Sequence, residues 1–180
     1  TRCSRDWSSD VCSSDLLLGR YYNGMLDIYT DITLQCATFG GHVEMLEMDE
    51  LARLCESVST EQINDKLAQF ANDFDIQADC HPADLSLAAR TAVGLDQLIQ
   101  QHQLGAMAYY HASVPGHAHE GIISSLILGA SALTSRGTPM AGEYEIKNAQ
   151  AMKIMDGLGA GGSFTENYAV DFHDDVVLMG

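Results

Sequence analysis

Positive charge is scarce in this sequence. Nine Lys and Arg stand against 25 Asp and Glu, giving a formal net charge of −16. Nucleic acid and anionic membrane surfaces are held by clustered Lys and Arg, so neither is an expected partner. Long apolar runs are missing too. None reaches the roughly 18 residues that a membrane span requires, and no basic stretch leads into an apolar one as in a signal peptide. Five cysteines, at positions 3, 12, 36, 55 and 80, form no C-x-x-C pair and no compact disulfide spacing. They read as ordinary thiols in a reducing compartment, which makes the cytoplasm the expected location.

What is present suits a folded domain. The 180 residues are 46% apolar and 19% charged, enough for one hydrophobic core. The acidic residues are spread along the chain and read as a solvated surface. The first sixteen residues stand apart. Thr1 to Leu16, TRCSRDWSSDVCSSDL, is rich in Ser and Asp and has no apolar period, so no folded structure is expected there. Twelve consecutive residues of it, RDWSSDVCSSDL, resemble the translation of a common short-read sequencing adapter. Residues 1–16 are therefore set aside as an artefact, and with them Cys3, Cys12 and Trp7.

From Leu17 onward the pattern alternates between strands and helices. Tyr21, Met25, Ile28 and Ile32 fall at helical spacing and predict a helix over 17–37, ended by Gly40 and Gly41. His42 to Met48 suits a strand, and Asp49 can cap a helix running to Val58. Ser59 with Gln62 forms a capping-box pattern ahead of the stripe Ile63, Leu67, Phe70 and Phe74. After a turn at Cys80–Pro82, residues Leu85, Ala88, Ala92, Leu95 and Ile99 define a long helix with Gly105 as its stop. Ala106 to His111 reads as a buried strand. Ile123 to Leu133 reads as a helix stopped by Gly137, Thr138 to Ala141 as a short strand, and Glu145 to Leu158 as a helix. Phe164 to the end looks extended. This alternation predicts a layered α/β fold with a mainly parallel sheet flanked by helices.

In such sheets ligands sit beyond the carboxyl ends of the strands. Glu143 lies where a short strand hands over to a helix. Glu166 follows a glycine loop, at the start of an extended segment. Two carboxylates on separate elements can converge on a metal ion or act as acid and base. Spacing alone favours the plainer reading, solvated carboxylates at element ends.

The blocks AGEYEIKNAQAMKIM and GGSFTENYAVDF resemble the L-arabinose isomerase family and its L-fucose isomerase-like relatives. GRYYNGMLDIYTD, FGGHVEMLEMDEL, LAARTAVGLDQLI and GAMAYYH occur upstream in the family's order. The resemblance covers nearly all of 17–180. It implies a central isomerase domain over 17–163 and the truncated start of a C-terminal β-rich domain over 164–180. It also implies aldose–ketose isomerisation with a manganese ion, L-arabinose to L-ribulose first, or another sugar such as L-fucose. The implied metal site has two glutamates and two histidines. Glu143 matches the glutamate of the G-E motif, and Glu166 that of S-F-x-E, here Ser163-Phe164-Thr165-Glu166.

Both implied histidines would lie past Gly180, so these residues hold an incomplete site and are expected to be inactive alone. The chemistry explains the ligand set. A proton moves between adjacent carbons through an enediol, a divalent ion polarises the oxygens, and a carboxylate carries the proton. Glu143 and Glu166 are expected in both the metal-binding and the acid–base role. The expected partner is a small-molecule sugar, with assembly into a homo-oligomer, a trimer or hexamer. Two other classes stay open: a noncatalytic sugar-binding α/β module, and an interaction domain in which both glutamates are surface acids.

Other clusters carry plainer readings. His117-Ala118-His119 reads as loop histidines beside a helix start, with substrate contact as the alternative to a metal role. Gly157 to Gly162 lacks the Gly-Lys-Ser/Thr of a phosphate loop and reads as a turn. His42 with Glu44 and Glu47 reads as a sheet-edge polar contact. His173 with Asp171, Asp174 and Asp175 reads as a solvated turn.

Overall fold

The computed structural model describes residues 14–112 and 115–180. Most of the adapter-like segment, 1–13, lies outside the described residues, as do Ser113 and Val114 at the start of the histidine loop. Ser14, Asp15 and Leu16 correct the expected boundary, because they belong to strand β1, Ser14–Gly19. Leu16, Leu17 and Leu18 are each fully buried. An unbroken apolar run of this kind is what a central parallel strand, covered on both faces, requires. The helix expected over 17–37 is corrected for the same reason. The chain leaves β1 into a turn and a single 3-10 turn at Leu26–Ile28, and becomes α-helical only in α1, Ile32–Phe39. Asp31 starts that helix by accepting the Leu34 N–H at 3.0 Å, and Gly40, at φ 71°, ends it.

Strand β2, Val43–Leu46, leads into α2, Met48–Ser57. Helix α3, Thr60–Asp73, opens with the reciprocal Ser59–Gln62 capping box. Helix α4, Pro82–His102, has Pro82 in its first turn, where a missing N–H costs nothing. It ends on Gln103 in the left-handed region at φ 52°, and Gly105, the expected stop, lies inside β3, Leu104–Tyr110. The next helical stretch is two pieces, α5 Glu120–Ser124 and α6 Leu126–Ser135. Strand β4, Met140–Ala141, is followed by α7, Ile146–Gly157. Strands β5, Asn167–Asp171, and β6, Val176–Met179, form a separate antiparallel pair.

The main sheet has the order β2-β1-β3-β4 and every pairing in it is parallel. Leu16 and Leu18 point to one side, against Leu51, Leu95, Leu98, Leu126 and Leu133 of α2, α4 and α6. Leu17 points to the other, with Ala106, Ala108, Ala141, Ile146 and Ala149, and Ile32 and Cys36 of α1 pack there. A third cluster around fully buried Phe70 fixes α3 on α4. The result is three layers, helices on both faces of a parallel sheet, as the sequence implies. Topology also marks a site. From β1 the chain steps outward to β2, then returns to the other side of β1 as β3. The order reverses between β1 and β3, and the carboxyl ends of those two strands flank a crevice suited to ligands.

Candidate active site at the carboxyl ends of the sheet

Glu143 is presented by a tight turn after β4. Glu143 and Tyr144 both hold left-handed backbone, at φ 58° and 67°. For residues other than glycine this costs roughly 1–3 kcal/mol each, so the surroundings must hold the turn in place. They do so from three directions. The Tyr144 N–H donates to the Tyr109 carbonyl at 3.1 Å, and the Glu145 N–H donates to the Gly142 carbonyl at 3.0 Å. The Tyr144 ring is buried and meets the Tyr21 ring edge-on, centroids 4.7 Å apart. The two nearby glutamates are thereby separated in role. Glu145 is buried, accepts the Lys147 N–H at 3.3 Å at the start of α7, and pairs with the Lys147 ammonium at 3.6 Å. The half-buried Glu143 carboxyl makes no hydrogen bond or ion pair with any described residue.

Glu166 reaches the same mouth from the hairpin. Its N–H donates to the Gly180 carbonyl at 2.7 Å and its carbonyl accepts the Gly180 N–H at 3.0 Å, which closes the open end of β5–β6. The link to Glu143 runs through Phe164. A Cβ on Gly142 would lie 3.0 Å from the Phe164 ring, so glycine at 142 lets that ring pack against the turn. The Glu143 carboxyl is held above its ordinary value, first by desolvation, then by the charge of Glu166, with Asp27 and Glu145 adding to it. Glu166 is thus the carboxylate whose charge acts on Glu143 most.

These two groups supply hard oxygen donors of the kind a divalent cation takes. Two donors make part of a coordination shell. Among the described residues no group of three or more His, Cys, Asp or Glu is disposed to hold a metal ion. The donor set therefore fits a divalent ion in chemistry but not in number. A surface cavity of about 440 Å³, lined by Cys80, Leu87, Ser124 and Ile127 among others, includes neither glutamate.

A family profile for the L-arabinose isomerase central domain matches residues 31–161. The chain belongs to this family. It is also similar to an L-arabinose isomerase of Saccharophagus degradans, 29% identical over 152 residues. The alignment covers 79% of this chain and 29% of that relative, so the chain spans less than a third of the relative's length. Within the L-arabinose isomerase central-domain match lie Glu143 and its turn; Glu166 falls just past it.

The remaining groups at this end of the central domain come from the switch point. Gly19 closes β1 at φ 93°, and a Cβ there would stand 2.1 Å from the Tyr110 carbonyl, so only glycine lets β1 and β3 approach this closely. The Arg20 N–H donates to that same carbonyl at 3.0 Å. Tyr22 packs on Tyr110, ring centroids 5.0 Å apart. Next to them His111, His117 and His119 cluster, with ring centroids 5.0–6.0 Å apart. His119 meets Asp49 at 2.6 Å. The sequence singled out His117 and His119 but not His111 or Arg20. No spacing rule links residues that become neighbours only when β1 and β3 pair. His42 is exposed and Glu44 instead pairs with His102 at 3.0 Å. Asp171 accepts the His173 and Asp174 N–H groups at 2.8 and 3.2 Å, as a turn residue does.

Proposed function

We propose that this chain supplies the carboxylate side of an aldose–ketose isomerase centre, acting on L-arabinose or a related aldose. The observation that carries the reading is the half-buried Glu143 carboxyl, unpartnered among the described residues, on its turn after β4, with Glu166 the carboxylate whose charge acts on it most, in a member of the L-arabinose isomerase family. In this reading both glutamates hold a divalent ion, manganese by the family resemblance. Such an ion would polarise the sugar's carbonyl and hydroxyl oxygens. Everything else falls to the chain. The strained turn at Glu143–Tyr144 fixes the carboxylate in place before substrate arrives. A carboxyl whose pKa is raised by burial and a like charge is better matched to accepting a proton from one carbon and returning it to the next. Desolvation sets most of that elevation and the charge of Glu166 adds to it. Assembly into a homo-oligomer belongs to the same proposal, and the exposed apolar side chains of the hairpin, Phe172 at 88% among them, support a covered surface there.

The test is turnover in a polypeptide of the relative's full length that carries this chain as its central segment. Glu143→Gln and Glu166→Gln should each lower kcat by about a hundredfold or more, without loss of fold by circular dichroism. Unchanged turnover in both variants would remove the proposed roles.

A further inference from the structure

Glu143 stands on two consecutive left-handed residues, and the two residues that follow it, Tyr144 and Glu145, are tied to a segment distant in sequence. That segment is 20–30, the stretch after β1. Strand β3 lies between β1 and β4 in the sheet, so the contact spans its carboxyl end. The last two residues of β3 serve both segments: the Tyr110 carbonyl accepts the Arg20 N–H at 3.0 Å, and the Tyr109 carbonyl accepts the Tyr144 N–H at 3.1 Å. The segments also touch directly. The Tyr21 ring stands edge-on to Tyr144, centroids 4.7 Å apart, and edge-on to Tyr29, at 4.4 Å. Its hydroxyl donates to the Thr30 carbonyl at 3.5 Å. Buried Ile28 roots the 3-10 turn between them.

Lys147 makes the second tie. It is the second residue of α7, where the positive end of the helix dipole disfavours a cation. Its ammonium donates to the Asp27 carbonyl at 3.0 Å, a bond between residues 120 apart in the chain, and lies 3.6 Å from the Glu145 carboxylate. Each residue after Glu143 is therefore joined to the 20–30 segment, Tyr144 through Tyr21 and Glu145 through Lys147. We propose that Tyr21 and Lys147 are positioning residues for Glu143: they clamp the segment after β1 onto the turn after β4 and so keep the strained backbone that fixes where the Glu143 carboxyl stands. This rests on the isomerase reading above and extends it to a segment that holds neither glutamate. The physical reason is the strain itself. Left-handed backbone at residues other than glycine relaxes unless its surroundings over-determine it. Relaxation would move the carboxyl, and a displacement of about 1 Å can cost on the order of a hundredfold in rate.

Two readouts test it. In the 180-residue chain, the Tyr144 and Glu145 N–H groups close the turn, and their hydrogen exchange should become about tenfold faster in Tyr21→Leu and in Lys147→Met. Tyr21→Phe keeps the ring and Lys147→Arg keeps a cationic donor, so both should restore most of the protection. The Lys147 side chain is 40% exposed, so its removal leaves the core packed. Lys153→Met is the control. Lys153 also lies on α7, but it donates to the Gly137 carbonyl at 2.7 Å and pairs with Asp156 at 3.5 Å, outside the turn. It should leave Tyr144 exchange as in the wild type. In the full-length polypeptide used above, at saturating manganese, Tyr21→Leu and Lys147→Met should each lower kcat roughly tenfold or more with KM little changed, and the two conservative variants should recover it. Unchanged Tyr144 exchange in Tyr21→Leu and Lys147→Met would overturn the proposal, as would an equal acceleration in Lys153→Met. Glu143→Gln in the same assay separates the two readings. Turnover lost in Glu143→Gln but kept in Tyr21→Leu and Lys147→Met overturns the positioning role alone. Turnover unchanged in Glu143→Gln overturns the isomerase reading, and the positioning role with it.

Discussion

Glu143 and Tyr144 show how much of this site is decided one residue at a time. Two consecutive left-handed residues would relax if nothing opposed them, and the Tyr109 carbonyl and the Tyr21 ring are what oppose them. The same kind of local contest governs His102. Its imidazole lies between Glu50 at 2.8 Å and Glu44 at 3.0 Å, tying the end of α4 to α2 and β2. Desolvation works against the charged ring, but the hydrogen bonds and charges of Glu50 and Glu44 outweigh it and raise its pKa above the ordinary 6.5. The sign follows from linkage. A raised imidazole pKa means the folded state binds the proton more tightly, so this stabilisation is complete below 6.5 and is lost as pH rises through the folded value. Thermal melts of the wild type and His102→Gln should therefore be farthest apart in mild acid and converge at alkaline pH. A gap that stays constant across that range would show the ring to be held by packing alone.

At the scale of elements, local signals were legible and long-range ones were not. The Ser59–Gln62 capping box involves residues three apart, and the structure shows both halves of it. The strand–helix alternation also emerged, because burial of one face is written into each segment. Strand β1 was missed because the spacing of Tyr21, Met25, Ile28 and Ile32 imitates a helix, while the decisive fact, cover on both faces of Leu16–Leu18, is supplied by distant helices. Glu143 and Glu166 could be singled out from their motifs. Their charge coupling could not, because it depends on Phe164 packing against Gly142. Strand β1 carries a prediction of its own. Asp15 accepts from the Gln150 amide at 3.2 Å, yet burial raises its pKa above 3.8, against the pull of Gln150 and Lys153. The Gln150 Oε1 beside it is buried with no partner. An elevated carboxyl pKa means the ionised form opposes folding, a cost absent below pH 3.8 that grows as pH rises from there and is complete above the folded value. Asp15→Asn should remove that cost, offer Oε1 a donor and raise stability at neutral pH by about 1 kcal/mol. The gain should shrink in acid, as followed by thermal denaturation. No gain at neutral pH would mean that Asp15 is adequately solvated where it stands.

At the scale of the molecule, three layers and one reversal of strand order gather Glu143, Glu166, Arg20 and His111 at the carboxyl ends of the strands. β4 delivers Glu143, the hairpin delivers Glu166, and the ends of β1 and β3 deliver Arg20 and His111. The proposed isomerase reading rests on the first pair. The central claim is that Glu143 and Glu166 form one charge-coupled site, and it can be checked in the chain itself by NMR titration of the Glu143 side-chain carboxyl carbon. With Gln in place of Glu166 the titration midpoint of Glu143 should fall toward its ordinary 4.5 while staying above it, since desolvation remains. A midpoint that does not move would place the two carboxylates in separate surroundings and contradict the account.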